Sequence, residues 1–86
     1  MVQAEDGRLA AVAEDVLEEL RAAMARYGPM ASAHEGYAVL LEELDELKSE
    51  VWKSPKRRDP AAMRAEAVQV AAMAMRFIYD LCDAES

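Results

Sequence analysis

Eighty-six residues allow one domain with a small core. A formal net charge of −7, ten basic against seventeen acidic side chains, withholds the phosphate attraction on which nucleic-acid binding depends, so no nucleic-acid partner is expected. The lone Cys82 excludes an internal disulfide. No apolar run approaches the ~20 residues of a membrane span, so no membrane partner is expected.

The region after Met1 lacks a basic start followed by an apolar run, so no signal peptide is expected. With the single cysteine suiting a reducing compartment, the expected location is the cytoplasm. The hydrophobic share of 53% is high for so short a chain. It reads either as surface meant for a second copy or as a count inflated by alanine.

Ala, Leu, Glu, Met and Arg dominate, all good helix formers, and strand signals are missing. A first helix is predicted from about Glu5 to Arg26, stopped by Gly28-Pro29. A second starts at Ser32, where Ser32 and Glu35 form a capping box, and runs to about Lys53. Ser54-Pro55 ends it, because a residue before proline is pushed out of the helical region. Lys56-Arg57-Arg58 form a basic loop. Asp59-Pro60 opens a third helix, with Asp as N-cap and Pro at N1, running to about Leu81. The fold class is therefore all-α, a single domain over residues 1–86. Its three helices are expected to complete a four-helix-bundle-like homo-oligomer, a dimer or tetramer.

At about 100° per residue, Leu40, Leu44, Leu47 and Val51 make one stripe of the second helix, expected to be its buried face. Glu43, Glu46 and Glu50 border that stripe, and Glu35 and Glu42 lie further round on the same side. On the third helix Glu66, Val70, Met73 and Phe77 share a face, flanked by Gln69 and Asp80, with Arg76 just beyond. Glu43 with Glu46, and Glu66 with Gln69, are surface neighbours three residues apart. Two antiparallel helices can therefore bring four oxygen-bearing side chains together, a set suited to Mg²⁺. The alternative is a solvated acidic face. Lys48 and Lys53 are too few to neutralise the acids of the second helix, and that surplus favours a cation.

Glu42-Glu43-x-x-Glu46, a twenty-residue step, then Glu66-x-x-Gln69 resembles the E-E-x-x-E … E-x-x-D pattern of the MazG-like all-α NTP pyrophosphohydrolases. The flanks His34-Glu35-Gly36-Tyr37-Ala38-Val39-Leu40-Leu41 and Val70-Ala71-Ala72-Met73-Ala74 also look like short phage and bacterial members. The resemblance covers about residues 31–81. It implies a helical dimer or dimer of dimers that uses Mg²⁺, or Mn²⁺, to cleave a nucleoside triphosphate between its α and β phosphates. Carried across, Glu43, Glu46 and Glu66 become metal ligands. Gln69 takes the fourth position, normally Asp, and Glu42 would serve a second metal or orient the attacking water. A Gln amide oxygen can ligate but brings no charge. A non-catalytic helical oligomerisation or interaction module of the same fold is the alternative that Gln69 and the short chain favour.

Further substrate-binding candidates are Trp52, with Tyr37, to stack on a base; His34 near the base; Arg76; and Lys53 and Arg57 for the phosphates. Each has a plainer reading. Trp52 and Tyr37 could be packing residues, His34 a capping-region surface residue, and Lys53, Lys56, Arg57 and Arg58 a solubilising loop. The methionines are most simply adaptable core filler.

Overall fold

The computed structural model describes residues 3–83, with side chains from residue 7 onward. The Met1 region lies outside them. All regular elements among the described residues are helical: α1 (Gln3–Arg26), α2 (Ala33–Val51) and α3 (Pro60–Phe77), followed by one π-helical turn (Ile78–Cys82). None of these helices is long and apolar enough to cross a membrane.

Local chemistry sets the helix starts. Ser32 Oγ accepts from the Glu35 N–H at 3.1 Å, capping α2. The Glu35 carboxylate reaches back, but to the N–H of Ala31 at 2.6 Å, one residue before the capping box requires. Asp59 Oδ1 accepts from the Ala61 N–H at 3.0 Å and Pro60 occupies the first turn of α3. The C-terminus of α2 comes slightly earlier than expected. Trp52 is its C-cap, and Arg58 Nε donates to the orphan Val51 carbonyl at 2.8 Å. One cation of the basic loop is thus a helix cap.

The α3 end departs further from expectation. The α-helix stops at Phe77, and the chain runs on in i→i−5 geometry, with Asp83 N–H donating to the Ile78 carbonyl at 2.8 Å.

Helix α3 packs against both α1 and α2. The core joins Val16, Leu20 and Ala23 of α1, Met30 of the α1–α2 loop, and Ala72 and Met73 of α3. Phe77 and Leu81 pack against it, and α2 joins through Val39 and Leu40. At Gly36, α2 approaches the end of α3 so closely that a Cβ would stand 2.6 Å from Phe77 Cδ2 and 2.9 Å from Leu81 Cδ1. Arg64 of α3 and Asp15 of α1 form an ion pair at 2.7 Å.

The stripe expected to be the buried face of α2 is only part covered. Leu40, Leu47 and Val51 are half-buried and Leu44 is exposed. The side turned to α3 is centred instead on Gly36 and Glu43.

Candidate metal centre and adjoining cleft

Glu43 and Glu46 stand one turn apart on α2, and α3 brings Glu66 up opposite them. One carboxylate oxygen from each of the three lies within 4.8 Å of the other two. Glu43 and Glu66 are half-buried and Glu46 is exposed. Burial, then the neighbouring charges of Glu46, Glu66, Glu42 and Glu19, raise the Glu43 carboxyl above its ordinary titration range. The ion pairs among the described residues engage Glu14, Asp15, Glu50 and Asp80, and none reaches these five acids.

The donor set fits a hard divalent cation. Oxygens around one Mg²⁺ at about 2.1 Å can stand at most about 4.2 Å apart, so a small side-chain rotation closes the trio onto an ion. The shell would be completed by water or substrate oxygens, as Mg²⁺ prefers.

Beside the trio lies a cleft of about 560 Å³, which Glu43 joins to the carboxylate cluster. Glu42, Val39 and Glu35 of α2, Gln69, Met73 and Arg76 of α3, and Glu19, Ala23 and Arg26 of α1 line it, and Tyr27 to Met30 close one end. Glu42 and Gln69 thus face the cleft next to the trio. Glu19 and Arg26 were not singled out from the sequence. Their spacing held the signal, because Glu19, Ala23 and Arg26 repeat at i, i+4 and i+7 on one face of α1.

Arg76 also lines the cleft, but its guanidinium is committed to the protein. Nε donates to Asp80 Oδ2 at 2.9 Å, Nη1 to the Ala23 carbonyl at 3.1 Å, and Nη2 to the carbonyls of Tyr27 and Gly28 at 2.8 and 2.7 Å. Asp80 Oδ2 in turn accepts from the Met30 N–H at 3.0 Å. This knot fixes the loop that forms the end wall. His34, Trp52, Lys53 and Arg57 are exposed and none lines the cleft. Lys53 pairs with Glu50 at 2.9 Å, and the Lys48 ammonium sits 5.5 Å from the Trp52 ring centroid.

No protein-family model, no curated protein and no solved structure matches the chain.

Proposed function

We propose that this chain is a Mg²⁺-dependent nucleoside triphosphate pyrophosphohydrolase of MazG-like type, converting a triphosphate and water to a monophosphate and pyrophosphate. The observation that carries this reading is the convergence of Glu43, Glu46 and Glu66, to which no base among the described residues is paired. Such an arrangement costs stability unless a cation offsets it.

A bound Mg²⁺, or Mn²⁺, would neutralise phosphate oxygens and make coordinated water more acidic. Glu43, Glu46 and Glu66 would hold it, with Gln69 offering an uncharged amide oxygen from the next turn of α3. Glu42, on the cleft side of the trio, is the group placed to accept a proton from an attacking water. The cleft would take the rest of the nucleotide: Tyr27, Met30, Val39 and Met73 supply apolar wall, and Arg26 a cation. Lys53, Arg57, Trp52 and His34 lie off that cleft and would act only on parts of a substrate that extend beyond it. In this reading two or more copies complete a four-helix-bundle-like assembly.

The deciding experiment incubates the protein with a panel of NTPs and dNTPs and Mg²⁺, separating monophosphate and pyrophosphate by chromatography. Turnover is expected for at least one nucleotide, with Glu66→Gln at least about a hundredfold slower, because the metal contributes several kcal/mol to the transition state. No turnover of any member overturns the catalytic reading. The neutral Gln69 favours a second reading, a non-catalytic helical module of the same fold. That reading predicts no hydrolysis even when Mn²⁺ binds.

A further inference from the structure

The cleft is built in levels, because its three helices run in register. The Arg64–Asp15 ion pair at 2.7 Å and the bonds from Arg76 to the carbonyls of Ala23 and Tyr27 hold α1 parallel to α3, each residue of α1 level with one about fifty positions later. The approach of Glu43 to Glu66, and of Gly36 to Phe77, sets α2 antiparallel to α3. Each helix gives the cleft lining one residue per turn, so these residues fall at three common levels. Glu19, Glu42 and Gln69 stand next to the carboxylate trio. Ala23, Val39 and Met73 make an apolar collar one turn on. Arg26, Glu35 and Arg76 stand beyond the collar, against the wall formed by Tyr27 to Met30.

That outermost level holds unused polar capacity of both signs. Arg76 is committed to Asp80 and the backbone. Arg26 forms no ion pair among the described residues, and its guanidinium stands 5.8 Å from the Tyr27 ring centroid. Glu35 uses Oε1 on the Ala31 N–H at 2.6 Å, and its other oxygen has no protein donor among the described residues. A fork of N–H donors on α1 and a carboxylate oxygen on α2 thus meet at the far side of the collar. Arg76, on the same level, lies about 15 Å along α3 from Glu66 at the α-helical rise.

We infer that this level selects a guanine base, Arg26 donating to O6 and N7 while Glu35 accepts from the N2 amine. The inference rests on the proposed function, which puts the phosphates on a metal at the trio and leaves the collar for the base. A base is apolar on its flat faces and polar at its edges. Ala23, Val39 and Met73 suit the faces. The edge that reaches Arg26 must offer acceptors. Guanine offers two side by side, and a guanidinium fork takes both. Adenine and cytosine would turn an amino group toward the cation, and uracil or thymine would offer O4 alone. Guanine also carries an amine on another edge, where the free oxygen of Glu35 can accept it. Among the common bases it alone joins two adjacent acceptors to such an amine.

Calorimetry with Mg²⁺ and α,β-methylene nucleoside triphosphates, which resist cleavage at that bond, tests base choice without turnover. The guanosine analogue is expected to bind about tenfold or more tighter than its adenosine, cytidine and uridine counterparts. Arg26→Gln should weaken the guanosine analogue about tenfold and the adenosine analogue less than about twofold. Two altered ligands make the same test in the wild type, should Arg26→Gln fail to fold. Carbon in place of N7 removes one acceptor from Arg26, and inosine lacks the N2 amine. Each change should weaken binding about tenfold, because a charged group is left unpaired. Equal binding of the guanosine, adenosine, cytidine and uridine analogues overturns the guanine assignment and leaves the pyrophosphohydrolase reading standing. A loss in Arg26→Gln that is the same for every base overturns it too, because the guanidinium would then hold a phosphate. An inosine analogue that binds as tightly as the guanosine one overturns the role of Glu35. If no analogue binds, the pyrophosphohydrolase reading falls and the guanine assignment falls with it.

Discussion

Arg76 with Asp80, and Glu43 with Glu46 and Glu66, handle charge in opposite ways within a few turns of α3. The first pair is almost wholly buried, with side chains 6% and 5% exposed. Every partner it needs is supplied: one carboxylate and three backbone carbonyls accept from Arg76, and the Met30 N–H donates to Asp80. The second group holds three carboxylates together at a half-open groove with no base among them. A knot that satisfies its own charges belongs to the fold. A cluster that leaves like charges converging is held at a cost that water, or under the proposed function a cation, must offset.

The comparison breaks most sharply if the knot can be cut without harm. Arg76→Met leaves Asp80 buried and uncompensated and strips donors from three carbonyls. The expected loss is about 3–5 kcal/mol, read by urea unfolding, and in so small a domain that approaches the whole stability. A loss below about 1 kcal/mol would mean that the pair is solvated and that the contrast is false.

Metal titration probes the other side. Mn²⁺ should bind wild type, and Glu46→Gln should weaken binding about tenfold or more by calorimetry. Equal affinities would remove the trio as a cation site. Gln69→Asp is expected to tighten Mn²⁺ binding by about 1–2 kcal/mol, the added attraction being partly offset by desolvation and repulsion from Glu66. Unchanged affinity there, with binding abolished in Glu66→Gln, would place Gln69 away from the ion.

The smallest expected effect carries an unusual sign. Because folding raises the Glu43 titration range, the folded protein holds its proton to higher pH than the unfolded chain does. Stability in EDTA should therefore fall as pH climbs from the ordinary carboxylate range through the raised one, and level off above it. Glu43→Gln should melt about 2–4 °C higher than wild type at neutral pH, the gain being held down by solvent screening, and the difference should vanish in acid. A lower melting point at pH 7 would show that the carboxylates do not repel one another.

Signals confined to one turn were legible beforehand. Ser32, Asp59 and Pro60 start helices by bonding or fitting their own neighbours, so the starts of α2 and α3 could be read directly. The i, i+3 spacing put Glu43 beside Glu46, and two antiparallel helices were enough to bring Glu66 near. What depended on distant partners was hidden. Periodicity left Arg76 outside the apolar face of α3. It is buried because carbonyls some fifty residues earlier surround its guanidinium. Helix propensity carried α3 onward to Leu81, whereas the chain loosens into a π turn where Asp80 is held by Met30 and Arg76, and Phe77 and Leu81 lie against Gly36. The leucine stripe of α2 was found, but a stripe does not say what covers it, and Leu44 remains exposed.

The knot also has a bearing on the order of events in folding. It ties residues 23–30 to residues 76–80, contacts separated by about fifty positions. The α2–α3 hairpin, joined by a short loop, can close at a much smaller cost in chain entropy. Helix α1 should therefore dock late, after the transition state. Substitutions at Arg76 and Asp80 would then quicken unfolding while leaving the folding rate almost untouched, so that the knot acts mainly on how long a folded molecule lasts.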